Sequence, residues 1–129
     1  MTPGLVDAGP MILPTPASVL AAAQRIEPWV RRTPILRFQG PGARPIVAKL
    51  EGLQRSGSFK LRGALNKLMC LGEAAADGVI TASGGNHGLG VAWAGWLLNV
   101  PVHVCVPSTA PPAKLEALER VTTTLEQVP

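Results

Sequence analysis

Apolar positions along this chain follow two rhythms. Some recur every three or four residues, and others run on without a break. Leu20, Ala23, Ile26 and Val30 keep the helical spacing and predict a helix with one inward stripe. Ser18 stands before it as N-cap, which gives a helix from Val19 to about Val30. Pro28 weakens the last turn, so the helix ends early or bends there. "TPILRF" reads as a short strand, "GPGARP" as a turn, and "IVAKLE" as a better strand, β-branched at its start. "GLQRSGS" is a loop, and Ser58 caps a helix over Phe59 to Leu71. "GEAAADG" is a linker with a turn of helix.

The second half has a different pattern. "VITAS" and "VPVHVCVP" are continuous apolar runs, which predict strands buried on both faces. Between them lie a Gly-rich turn and the helix "LGVAWAGWLLN", with Asn99 suited to a left-handed stop. "STAPPAKLEALER" is a further helix with proline at its first position. Residues 79–120 therefore read strand, helix, strand, helix. That order predicts an α/β fold, a parallel sheet flanked by helices. Residues 1–17 hold four prolines and two glycines and predict a flexible lead-in.

Composition narrows the classes. The chain has 129 residues, 47% of them hydrophobic, enough for the core of one domain or a piece of a larger one. Its net charge is +4, but the basic residues are scattered singly and the densest cluster is only "VRRTP". No aromatics interleave with them, which argues against a nucleic-acid partner. A mild basic excess suits an anionic small molecule. Cys70 and Cys105 show no CxxC spacing. They read as core thiols of a reducing cytoplasm rather than a disulfide frame or a zinc site. No signal peptide and no membrane-spanning run is visible, and no metal is expected.

Two turns carry candidate chemistry. In "TASGGNHGLG", Gly84 and Gly85 let the backbone approach a ligand, and the helix that follows favours an anion at its start. Ser83 adds a hydroxyl and Asn86 an amide. The turn follows a strand at its carboxyl end, where ligands of parallel sheets bind. The plainer alternative is an ordinary strand-to-helix turn capped by Asn86 or Ser83. The register is not that of a dinucleotide fingerprint, and His87 has no visible acid partner. In "QRSGSFKLRGALNKL", Lys60 falls in the first turn of a predicted helix. The helix dipole and partial burial there would favour an amine that reacts as a nucleophile. The plainer alternative is a solvated surface lysine beside Arg62.

Together the two turns resemble a known family. "KLEGLQRSGSFKLRGALNKL" resembles the Schiff-base lysine segment of the pyridoxal-phosphate serine/threonine dehydratases and serine racemases. "VITASGGNHGLGVAWAGWLLNVPVHVCVPSTAPPAKLEAL" resembles that family's asparagine loop with its flanking elements, and "RRTPIL" its threonine–proline segment. The resemblance covers about residues 18–120. It implies an incomplete fold type II enzyme, like the tryptophan synthase β chain. Residues 18–72 would open the large cofactor domain, and residues 76–129 would be the first part of the small α/β domain.

By the same resemblance the cofactor is pyridoxal 5'-phosphate. Lys60 would form its imine and act as base at the substrate α carbon. Phe59 would pack beside the ring, and Asn86 would bond the ring's phenolic oxygen. Ser83, Gly84, Gly85, Asn86 and His87 would form the loop that grips the substrate carboxylate. The implied reaction is β-elimination and deamination of threonine or serine to a keto acid and ammonia. Similar racemases carry a serine where Gly84 stands, and glycine cannot donate a proton, so elimination is expected over racemisation. A homo-oligomer and a cytoplasmic location are also implied.

Other readings remain open: a non-catalytic remnant or binding module, and a relative of threonine synthase or cysteine synthase. No glycine follows Pro101, so the family's glycine-rich phosphate loop is absent from this sequence. The tail "VTTTLEQVP" departs from a pattern that leads through a glycine into another strand, as a frameshift near residue 120 would produce. On that view the chain alone is poorly active, marginally stable and prone to aggregate.

Overall fold

The computed structural model describes residues 13–122 and 124–129. Most of the predicted lead-in therefore lies outside the described residues. The first helix, α1 (Pro16–Ile26), starts earlier than its pattern predicts. Thr15, not Ser18, is the N-cap. Thr15 Oγ1 accepts from Ser18 N at 3.2 Å, and Ser18 Oγ accepts from Thr15 N at 2.9 Å. That reciprocal capping box makes Ser18 the third helical residue, and Pro16 sits at the first position, where its fixed φ fits. Pro28 acts as expected: the α-helix ends at Ile26 and a 3-10 turn, Glu27–Trp29, follows. The predicted stripe is only partly inward. Ile26 is buried, but Ala23 is exposed and Leu20 is 66% exposed, because no described element covers that side of α1.

Strands β1 (Ile35–Gln39) and β2 (Pro45–Lys49) form an antiparallel hairpin with Phe38 opposite Ile46. The "GPGARP" turn closes it with left-handed backbone at Gly42 and Ala43. A loop then leads to α2 (Lys60–Leu71). The three-stranded parallel sheet is built from β3 (Val79–Ala82), β4 (Val102–Pro107) and β5 (Thr124–Val128), in that order. Helix α3 (Asn86–Leu98) joins β3 to β4, and α4 (Pro112–Glu119) joins β4 to β5. The predicted α/β alternation is therefore the observed one.

The sheet is buried on one face only. Val102, Val104 and Val106 pack with Ala92 of α3 and Leu118 of α4. On the other face Ile80 is 70% exposed, and His103 and Cys105 are half-buried. The expectation of strands buried on both faces fails for a simple reason: the described helices cover one face. The core-thiol expectation fails too, since Cys70 is exposed on α2. A second core joins α2 to α3 through Leu61, Leu65, Leu68 and Ala94.

Two sequence details fix the chain's reversals. Asn99 stops α3 with φ 56° and ψ 39°, as expected. The tail forms β5 without the expected glycine, because Thr122 makes the turn. Its hydroxyl reaches Val102 O at 2.9 Å, and its amide donates to Leu118 O at 2.9 Å.

Helix α3 carries glycines in its interior, where they weaken a helix and therefore mark close approach. A Cβ at Gly95 would lie 2.1 Å from Val102 Cγ2 and 2.7 Å from Val100 O. Gly95→Ala is expected to lose about 1–3 kcal/mol by overpacking. Gly63→Ala, with nothing within 4 Å of the new methyl, is expected to gain up to about 1 kcal/mol by helix propensity. Urea unfolding of both variants checks the contrast; equal effects would refute the packing argument.

Candidate active site

The site begins with a polar knot that sets where α2 starts. Arg62 grips Glu51 at two points, Nε to Oε2 at 2.8 Å and an Nη to Oε1 at 2.7 Å. Such a fork fixes direction as well as distance. Thr33 Oγ1 donates to Glu51 Oε1 at 2.5 Å, and Lys49 Nζ donates to Thr33 O at 2.7 Å. The Gln54 amide pairs with both backbone groups of Arg31, each at 3.0 Å. The "RRTP" segment, the end of β2 and the start of α2 are thereby tied together. The Arg62 guanidinium, with Thr33 and Lys49 helping, holds the Glu51 carboxyl down at about 2, although burial opposes it. Glu51 in turn pushes Arg62 further up.

Lys60 is the first residue of α2, two positions before Arg62. The partial burial expected for it is not seen; the residue is exposed. Its amine sits 5.1 Å from the centre of the Phe59 ring, within range of a cation–π contact. Among the described residues it has no acidic partner. The expected cap at Ser58 does not form either. Phe59 occupies the N-cap position with no side-chain cap bond, and the buried Ser58 Oγ has no hydrogen-bond partner. The reason is local. Phe59 already has helical backbone angles, φ −66° and ψ −15°, rather than the extended ones a capping residue takes.

The Gly-rich turn is folded tightly onto α3. Ser83 N donates to Cys105 O at 2.9 Å, and Gly85 N donates to Ser83 Oγ at 3.2 Å. Helix α3 begins at Asn86, and its N-cap is Gly85 with no side-chain cap bond. Neither Asn86 nor Ser83 therefore caps α3, so the caps named in the plainer alternative do not form. The first amides of α3 keep no intrahelical partner, as at any helix start. Gly88 and Gly90 make the approach possible. A Cβ at Gly88 would lie 2.1 Å from Ser83 O, and one at Gly90 would lie 3.0 Å from the Lys60 backbone carbon. Gly90 thus lets α3 rest directly against Lys60.

Between α2, β3 and α3 lies a cavity of about 490 Å³. Phe59, Lys60, Lys67, Thr81 and His87 supply its polar and aromatic lining, and Ala64, Leu68, Leu71, Val79 and Val91 its apolar lining. The structure therefore brings Phe59, Lys60 and His87 together. Ser83, Gly84, Gly85 and Asn86 form the adjoining turn but do not line this cavity. Sequence reasoning missed the Glu51–Arg62–Thr33 knot and the role of Gly90. Only the interior glycines of "GLGVAWAG" signalled such contact in the sequence.

Comparison with known proteins gives a consistent result. A family model described as pyridoxal-phosphate dependent enzyme matches residues 26–129. The chain is 42% identical over 115 residues to a β-hydroxyaspartate dehydratase of Paracoccus denitrificans, covering 85% of this chain and 36% of that protein. It is 47% identical over 100 residues to an L-threonine ammonia-lyase of Geobacter sulfurreducens, covering 74% of this chain and 25% of that one. Maize serine racemase superposes with a TM-score of 0.79 at 35% identity, over 86% of this chain and 35% of its own. The chain thus spans about a quarter to a third of the length of these relatives.

The knot makes stability depend on acid. Glu51 is held at about 2, below its ordinary 4.5, so its contribution is complete above the unfolded value. It is lost as pH falls from about 4.5 through 2. The loss is expected to be on the order of 2–3 kcal/mol after solvent screening. Urea midpoints measured from neutral pH down to that range check this. Glu51→Gln should be less stable at neutral pH and should fall less steeply in acid; an unchanged slope would refute the assignment.

Proposed function

Because this chain belongs to the pyridoxal-phosphate dependent enzyme family, we propose that it carries the lysine side of an ammonia-lyase site. The substrate of the complete enzyme is a small hydroxyamino acid, threonine or serine. Its β-elimination and deamination yield a keto acid and ammonia. Carrying this reading is one observation: Lys60 and His87 open on the same cavity, beside the Ser83–Asn86 turn. Relatives named as ammonia-lyases and dehydratases support the reaction type.

The residues present fit the family's cofactor. Phe59 is 59% exposed, beside an amine with no acidic partner among the described residues. Ser58 Oγ is a buried hydroxyl with no partner, at a helix start that lacks a cap. Asn86 presents an exposed amide at the first position of α3. Phe59, Lys60 and Asn86 would hold the cofactor. When bound, it supplies an aldehyde for the amine and an electron-poor ring that stabilises negative charge at the substrate α carbon.

Lys60 Nζ then serves as the base that takes the α proton. The amides at the start of α3 hold the substrate carboxylate, with the helix dipole in their favour. Gly84 has no proton to give to the opposite face of the α carbon, so elimination prevails over racemisation. In this reading residues 18–72 open a cofactor domain and residues 76–129 begin a second, smaller one.

Trapping tests the lysine. The purified chain is incubated with pyridoxal phosphate, reduced with borohydride and mapped by peptide mass spectrometry. Label confined to Lys60, and lost in Lys60→Ala, is expected. Label scattered over Lys49, Lys67 and Lys114 would refute a selected lysine. Gly84→Ser tests the stereochemistry in an enzyme completed with its remaining segments. A Cβ at Gly84 meets nothing nearer than Pro107 Cδ at 3.4 Å, so the serine fits. Racemisation should rise relative to elimination; no gain would overturn the role given to Gly84.

A further inference from the structure

We propose that the open face of the parallel sheet carries a site for a borderline-soft divalent cation of the zinc type, ligated by His103, Cys105 and Glu126. Strand alternation makes the cluster. Val102, Val104 and Val106 point into the core, so His103 and Cys105, two apart on β4, share the opposite face. Cys105 is in register with Glu126 on β5. That register is fixed by the parallel ladder and by the Val and Leu packing beneath it. The site therefore rests on strands rather than on loops, and its spacing is held.

Distances suit a shared ion. His103 Nε2 lies 2.9 Å from Glu126 Oε2, and Cys105 Sγ lies 4.0 Å from the same oxygen. All three donor atoms fall within 4.8 Å of one another. Ligands at about 2.0–2.3 Å from a tetrahedral zinc stand roughly 3.4 Å apart. Small side-chain rotations, parting His103 from Glu126 and drawing Cys105 inward, would bring all three onto the ion. The His103 nitrogen is shut off from solvent, and its contact with Glu126 is close but is not a directed hydrogen bond.

Donor chemistry sets the choice of ion. A thiolate, an imidazole and a carboxylate suit zinc and its neighbours, whereas magnesium and calcium prefer all-oxygen sites. An ion pair between His103 and Glu126 accounts for two of the three groups. It leaves the thiol of Cys105 beside a carboxylate from which, as a weak donor, it gains little. A cation accounts for all three and leaves a fourth position for water or an added ligand.

The full chain with Cys70→Ser is the protein to use, because Cys105 is then its only cysteine. Titration with cobalt(II) is expected to give a thiolate charge-transfer band in the near ultraviolet, saturating at one ion per chain and abolished by added zinc. Calorimetry should show binding of zinc but not of magnesium. His103→Gln and Glu126→Gln should each weaken zinc by roughly 100-fold or more, beyond the loss of an outer-shell partner. Absence of the cobalt band in the Cys70→Ser chain would overturn the proposal without any ligand variant. Zinc affinity unchanged by both His103→Gln and Glu126→Gln would overturn it as well.

Discussion

The forked contact between Arg62 and Glu51 is the constraint on which the candidate site depends. It ties the loop after β2 to the first turn of α2. Lys60 lies two residues before Arg62, so its backbone can move only as far as that fork allows. Such a pair is not a large source of net stability, because desolvation offsets much of the attraction. Its value lies in geometry. Thr33 donates to Glu51, Lys49 stands 3.4 Å from the same carboxylate oxygen, and Arg62 also reaches Arg31 O, which meets the condition under which a part-buried charge is tolerated. Removing either partner would leave the other stranded beside the helix that presents the lysine.

From the opposite side, glycines hold the same lysine. Helix α3 reaches the Lys60 backbone only because Gly90 has no side chain, and it reaches the Ser83 carbonyl only because Gly88 has none. The lysine and the Ser83–Asn86 turn are thus placed by contact between two helices, not by long flexible side chains. Each interior glycine weakens α3 by up to about 1 kcal/mol relative to alanine. Burial of Leu61, Leu65 and Leu68 against α3 offsets that cost. Packing and chemistry share one interface here, which explains why a helix with poor intrinsic propensity persists at the site.

What the sequence revealed follows from the range of each interaction. Asn99, Pro28 and the alternation of β3, α3, β4 and α4 were legible because they are local: dihedral preference and periodicity decide them. The α1 cap was misread because Thr15 and Ser18 are both good caps three residues apart, and Pro16 decides between them. Ser58 was misread because Phe59 had already entered helical backbone. Leu20 and Ile80 were expected inside, but burial needs a partner, and periodicity alone names none. The Glu51 knot was invisible because Thr33 and Glu51 stand 18 residues apart and nothing in composition links them.

The two faces of the parallel sheet show how one strand can serve two ends. On β4 the even-numbered valines close the core, and their packing fixes the register of β5. The odd-numbered positions are then free of the core's demand for apolar side chains, and there the chain carries His103 and Cys105. Once the buried face is set, the spacing of anything on the open face is set with it, to within side-chain rotation. The same logic applies at the cavity. Val79 packs inward, while Ile80 beside it stays exposed, and both border the space that Lys60 faces. Rigidity is supplied by one face and chemistry is offered on the other, so the polar groups of this chain sit on a frame whose shape they do not have to create.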